Sequence, residues 1–351
     1  MLTKKLKTVR FQLYHSFENL VAGLLAPILP LGYLENQIRP PVIIPYYHIV
    51  SDERVEHVIH LFSYRTTEQF KADLEFFLKN YQPVGLEDLL SAVATGRRLK
   101  ERAFLLSVDD GFRETHDIMA PILKSKGVPA VFFITTAFLD NKTLGHRHKA
   151  SILAEHFARL KNRPPIAEKL AEVLKCHDSS HPGIIKAIMS RDNMGRETLD
   201  NMASVLEVDF ESYLSGVQPY LTTSQVRSLI QDGFHIGAHS VDHFHYGTLT
   251  PGEQLAQTSD SVTFIRQKFG LNYSLFAFPY SDSGVHASLF EALGGEIDVF
   301  FGTSAFRRDR IKKLVQRFWM EDTSDSAEKI LKSLYVRNKV REFAGLNKRN
   351  R

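Results

Sequence analysis

The segment LLSVDDGF, residues 105–112, ends an apolar run in two adjacent carboxylates, Asp109 and Asp110, followed by a glycine. Side chains alternate along a strand, so neighbouring aspartates face opposite ways unless the strand is ending and both lean toward one site. Like charges placed together cost free energy unless a cation lies beside them. The plain alternative is a solvated Asp-Gly turn. A second segment, IGAHSVDHFHYG, places His239 and His243 four residues apart, directly after another apolar run. On a helical turn, residues at i and i+4 share a face, so both imidazoles could reach one ion. In a chain with 15 histidines such a spacing also arises by chance. Ser240 stands where an HExxH metalloprotease carries glutamate, which counts against that class. Together the two segments offer two neutral nitrogens, one anionic oxygen and a vacant position for water, as an open catalytic metal site requires. One aspartate would be a ligand and the other, kept anionic beside the ion, a base. Zinc fits this divalent site best, although two imidazoles and a carboxylate do not separate it from Co, Ni, Mn or Fe.

Such groups must be held at the ends of a rigid framework, and the chain supplies one. Seven short apolar runs read as strands: residues 41–49, 103–108, 129–135, 234–239, 274–280, 297–303 and 313–319. Most are continuous rather than alternating, as expected of parallel strands covered on both faces. Helical patterns lie between them. Thr66 with Gln69, Thr222 with Gln225 and Thr250 with Glu253 have capping-box spacing, and Pro251 takes the first helical position of the last. This alternation predicts an α/β barrel or a doubly wound sheet. From about 140 to 218 no strand signal occurs and apolar residues recur at helical spacing, which predicts a helical insertion after the third run, either a lid or a purely stabilising element.

The chain has 351 residues, 43% of them hydrophobic, enough to bury a large core. A net charge of +4 is too small to imply nucleic acid, although basic residues gather at both ends: Lys4, Lys5, Lys7 and Arg10, then Arg337, Lys339, Arg341, Lys348, Arg349 and Arg351. The single cysteine, Cys176, excludes an intramolecular disulfide. Asn19 to Leu34 is 16 residues without a charge, short of a bilayer span and interrupted by Pro27 and Pro30. Glu18 separates it from the basic residues, and no clear cleavage site follows, unlike a secretory signal. The expectation is a cytoplasmic protein whose N-terminal segment is a docking helix or a peripheral membrane contact, with an uncleaved anchor as a further reading. The divisions read from the sequence are an N-terminal extension (1–40), a barrel (41–340) with its insertion, and a basic tail (341–351).

The motifs SVDDG (107–111), HSVDH (239–243) and FAFPYSDSG (276–284) resemble those of the polysaccharide deacetylases of the NodB-homology class, carbohydrate esterase family 4; YYHIVSDE (46–53) and RRDRIKKLVQRFWM (307–320) do so more loosely. The resemblance runs from about Pro41 to Trp319, apart from the insertion. It implies a distorted (β/α)7 barrel that hydrolyses the N-acetyl group of an amino sugar in a glycan or glycan precursor. It also implies Asp109 as general base, Asp110, His239 and His243 as metal ligands, and Pro279-Tyr280 as the strand-end pair whose tyrosine N–H donates to the oxyanion. Phe112, Pro279 and Tyr280 are the residues expected to touch substrate.

Two departures stand out. The family's arginine before Pro-Tyr is replaced at Ala277 or a neighbouring phenylalanine, which leaves Arg317 on the last strand to orient the base through a bidentate pair. The family's late histidine, the general acid, is missing, because no histidine follows His286. His48 at the end of the first strand is the replacement candidate, since adjacent strand ends of a parallel barrel converge on one face; His245 and His286 are weaker ones, and His146 and His148 of the insertion read as solvated. These departures keep two other readings open: a carbohydrate-binding barrel without turnover, and a hydrolase of some other amide or cyclic imide.

Overall fold

The computed structural model describes residues 16–346, apart from 98, 100–101, 161–162, 191–194 and 308. The basic residues Lys4, Lys5, Lys7, Arg10, Lys348, Arg349 and Arg351 therefore lie outside the described residues. All seven apolar runs contain strand. The first holds β1 (Pro45–Tyr47); after β2 (Gln82–Pro83), the second holds β3 (Ala103–Phe104) and β4 (Leu106–Val108). The next four hold β5 (Ala130–Ile134), β6 (His235–Ala238), β7 (Leu275–Ala277) and β8 (Val299–Gly302). The last run is cut by Arg317 into β9 (Leu314–Gln316) and β10 (Phe318–Trp319). β2 and β3 form a small parallel pair, and the other eight strands form one parallel sheet in the order β10-β1-β4-β5-β6-β7-β8-β9. Because β9 and β10 belong to one run, pairing respectively with β8 and β1, the sheet closes into a barrel of seven staves. This is the (β/α)7 barrel that the sequence resemblance implied.

Alternation along the strands assigns every residue a face. Ala130, Phe132 and Ile134 of β5 pack outward under the helices, whereas Val131 and Phe133 join Leu105, Leu275, Ala277, Val299 and Phe301 inside the barrel. Both faces are apolar, which is why the runs are continuous. Gly237 on β6 takes an inward position where a Cβ would lie 2.5 Å from the Phe133 ring, so the barrel closes only around glycine there.

The helices begin where their caps predict. Thr66, Thr222 and Thr250 each complete a capping box, at the starts of Thr67–Asn80, Thr223–Gln231 and Pro251–Phe269. After β5 the chain leaves the barrel for five helices, His146–Arg159, Pro164–Leu174, His181–Met189, Arg196–Leu206 and Phe210–Val217, four of which bury their own core of Leu153, Leu170, Ile184 and Met202. The final helix, Ala327–Phe343, runs straight across position 340, where the sequence reading began a basic tail. It packs beside helices Leu31–Ile38 and Thr67–Asn80. Among the described residues no helix is long and apolar enough to cross a membrane.

Candidate metal centre

Leu105 and Ser107 point into the barrel, and Asp109, two residues further, keeps the same inward parity. Its N–H donates to Tyr47 O (2.8 Å) as the β1–β4 ladder ends. Val315 and Arg317 likewise point inward on the last stave, separated from that of Asp109 only by β1, so the guanidinium meets the carboxylate at the top of the barrel. Arg317 Nη1 donates to Asp109 Oδ1 (2.6 Å) and Nη2 to Oδ2 (2.8 Å). Nη1 also reaches Ser107 Oγ (3.2 Å) and Nε donates to Gly302 O (3.3 Å). The guanidinium carbon lies 4.7 Å from the Tyr46 ring centre and 5.2 Å from that of Phe133. Both partners are buried. Burial pushes the Asp109 pKa up, but the charge of Arg317 beside it outweighs burial and holds the carboxyl below its ordinary value.

By parity Asp110 should face away. It turns back because its backbone is left-handed, φ 71°, and Gly111 follows at φ 75°. The answer to why two aspartates stand together is thus a local one: strand alternation aims the first inward, and a reversed dihedral brings in the second. His239 continues the inward parity of Gly237 on β6, and its Nδ1 donates to Ala277 O (2.9 Å). That bond assigns the proton to Nδ1 and leaves the Nε2 lone pair facing the site. His243 returns through a loop, not the helical turn that i, i+4 spacing suggested: Ser240 and His243 have φ of 63° and 60°. The loop is braced by Ser240 Oγ, which accepts from His243 N (3.0 Å), and by Gln257 Oε1, which accepts from Val241 N and Asp242 N (3.0 and 3.1 Å).

Asp110 Oδ1 lies 3.0 Å from His243 Nε2 and 3.4 Å from His239 Nε2, and the three ligand atoms lie within 4.8 Å of one another. Oδ1 is buried yet has no hydrogen-bond partner of acceptable geometry among the described residues. An orphaned carboxylate oxygen facing two imidazole nitrogens is an arrangement a divalent cation would complete, and the donor set is that of an open three-ligand site. The residues fit a metal. Burial raises the Asp110 pKa, but the two facing imidazoles, His243 foremost, drive it well below the ordinary carboxylate range.

A pocket of about 410 Å³ opens over this centre, lined by Asp110 and His243 together with His48, Tyr280, Tyr46 and Trp319. His48, also inward by parity on the first stave, shares the pocket with the ligand residues. Its Nδ1 donates to Glu321 Oε2 (2.6 Å), whose other oxygen accepts from His48 N (2.7 Å) and Ile49 N (3.0 Å), while Trp319 Nε1 donates to Oε2 (2.8 Å). Burial works to lower the His48 pKa, but the charge and hydrogen bond of Glu321 raise it to about 9, so the imidazole is protonated at neutral pH. Sequence reasoning missed Glu321, which has no exposed surface. The available signal was an acid just past the last strand, where barrel side chains reach the mouth.

The remaining expected site residues divide. Tyr280, at φ 55°, lies beside the ligands with its ring 4.7 Å from that of His243, and Pro279 is buried next to it. Phe112 does not face the pocket: its side chain is fully buried, packed against His57, His148 and Tyr220 beneath the insertion, because its backbone bridges to Tyr220. His146 and His148 are not solvated side chains; both line the pocket. His148 Nδ1 bonds Tyr220 Oη (2.5 Å), and burial pushes its pKa down to about 3. His245 stacks on Tyr280 and accepts from Gly247 N, and His286 caps a helix.

Comparison with known proteins follows the same line. The sequence model of the polysaccharide deacetylase family matches residues 96–293, more than half of the chain. "Putative polysaccharide deacetylase YxkH" of Bacillus subtilis (strain 168) is 19% identical over 247 residues, 69% of this chain, and the chain spans only 61% of that protein's length. Among solved structures, the Streptococcus pyogenes deacetylase PplD in complex with acetate aligns at 14% identity and TM-score 0.52, covering 84% of this chain and 97% of that one. IcaB from Ammonifex degensii aligns at 14% identity and TM-score 0.51 with the same coverage. At such identities the structural likeness concerns the fold. The family match holds the aspartate pair and both histidines but ends before Arg317 and begins after His48, so those two rest on geometry alone. This chain belongs to the polysaccharide deacetylase family.

Proposed function

We propose that the chain is a metal-dependent hydrolase that removes N-acetyl groups from an amino sugar of a polysaccharide or glycan precursor. The observation that carries this is the convergence of Asp110 Oδ1, His239 Nε2 and His243 Nε2 within 4.8 Å of one another, with Asp110 and His243 lining the pocket where His48 also lies. A divalent ion, zinc by preference, held by these three residues would polarise the acetyl carbonyl and lower the pKa of water. Asp109, kept anionic by Arg317, receives the proton of the attacking water; its Oδ2 lies 3.9 Å from His239 Nε2. The Tyr280 backbone N–H donates to the oxygen on which negative charge develops. His48, protonated through Glu321, gives its proton to the departing amine. Tyr46, Trp319 and the Tyr280 ring give the sugar apolar faces to lie against.

The bidentate pair of Arg317 with Asp109 and the position of His48 in the pocket supply an oriented base and a proton donor, which favours turnover over mere binding. The test is release of acetate and free amine from N-acetylglucosamine oligomers and N-acetylated glycosides by protein stripped with chelator and reloaded with single metals. Stoichiometric metal uptake without hydrolysis of any acetylated amino sugar would leave a binding barrel instead.

A further inference from the structure

Ten large hydrophobic side chains are exposed among the described residues, and only Tyr280 and Trp319 belong to the pocket. The other eight all fall between positions 17 and 33 or at 343 and 346. Phe17, Leu20, Leu24 and Ile28 are 55%, 62%, 62% and 76% exposed, at the spacing of one helical face. The helical residues 16–25 are thus mounted with their bulkiest apolar side outward, while Glu18, Ala22 and Ala26 face the protein. Arg341 holds Glu18 from the final helix (2.8 and 3.1 Å), which sets the outward face beside Phe343, 91% exposed, and Leu346. A patch concentrated in this way marks an interaction surface.

Charge identifies the partner. Residues 1–39 contain five Lys and Arg against two Glu, and residues 337–351 contain six against one. These two segments therefore carry +8 of a chain whose net charge is +4, and the remainder carries −4. Both N-terminal glutamates, Glu18 and Glu35, are buried. A second copy of the chain would carry the same basic excess in these parts of its sequence, and like charge opposes the pairing of such copies. An apolar stripe flanked by Lys and Arg suits the interface of an anionic lipid bilayer, and no described helix is long enough to span one.

We propose that residues 16–28, with the end of the helix Ala327–Phe343, form a docking face for an anionic membrane surface. The final helix starts six residues after Glu321, the buried partner of His48, and runs roughly 25 Å before Phe343, at the usual rise per residue. None of the docking residues lines the pocket, so docking by this face leaves the pocket free to receive a glycan from solution.

The test is flotation of the whole chain with vesicles of phosphatidylcholine, with and without phosphatidylglycerol. Wild type should float with the anionic vesicles, much less with the neutral ones, and binding should weaken as salt rises. The variant Leu20→Glu/Leu24→Glu/Ile28→Glu should lose about 100-fold or more in vesicle affinity. Its melting temperature and hydrolysis of a soluble substrate should stay at wild-type values. A second variant, Leu24→Ser, should show a smaller loss and keeps the test open if the triple variant is poorly folded. Wild type that fails to float with anionic vesicles, or that forms a dimer which Leu24→Ser dissociates, would overturn the proposal.

Discussion

Glu321→Gln probes how the protein keeps a proton on His48. The carboxylate is fully buried and accepts four hydrogen bonds, from His48 N, Ile49 N, His48 Nδ1 and Trp319 Nε1. Glutamine preserves its shape and removes its charge. In the folded protein His48 titrates at about 9 against an ordinary 6.5, so the folded state favours the imidazolium by roughly 3 kcal/mol. The pKa is raised on folding, so this stabilisation is complete below pH 6.5 and disappears as pH rises through about 9. Burial, the largest influence on His48, lowers its pKa and is unopposed by Glu321 in the variant. The basic limb of the pH–rate profile should therefore move to lower pH by more than one unit, and turnover near neutral pH should fall by about 100-fold, the usual worth of a positioned acid. An N-acetyl amide should suffer far more than an activated ester of similar shape, because only the amine leaves with a proton. Urea unfolding should show the wild-type advantage shrinking by roughly 3 kcal/mol as pH rises through about 9. A bound metal ion would lower the limb in both proteins and leave the comparison intact. A well-folded Glu321→Gln whose basic limb coincides with wild type, with equal losses on amide and ester, refutes the reasoning.

Asp110→Ala, His239→Ala and His243→Ala should each purify folded but without stoichiometric metal by elemental analysis, since three ligands seldom hold an ion when reduced to two. Asp109→Asn should keep its metal and lose about 100-fold or more in turnover; loss of metal here, with retention in Asp110→Asn, would exchange the two roles. Arg317→Met should destabilise the fold by about 3–5 kcal/mol in chemical denaturation, because it leaves a buried carboxylate without its partner, and Arg317→Met/Asp109→Leu should recover much of that loss.

The sequence by itself determined the strands and the α/β class, its family resemblance pointed to the barrel, and its motifs picked out the candidate site residues. Alternation is a local property, so reading Leu105, Ser107 and Asp109 in order already aims one carboxylate inward, and the Thr-x-x-Gln and Thr-x-x-Glu boxes mark helix starts within four residues of chain. The pair His239 and His243 was legible as candidate ligands, but its loop was not, because spacing alone does not reveal the left-handed dihedrals at Ser240 and His243. Asp110 was assigned by resemblance, while its orientation follows from φ 71°. Tertiary structure decided the rest. Arg317 meets Asp109 across 208 residues of chain and Glu321 meets His48 across 273, and each contact exists only because the last stave closes the barrel against the first. Phe112 looked available beside the aspartates until the insertion covered it, and His148 looked solvated until the same insertion brought it against Tyr220. No local pattern encodes which face of a helix the rest of the chain will cover. The apolar side of residues 16–25 was therefore visible in the sequence, and its outward orientation only in the fold.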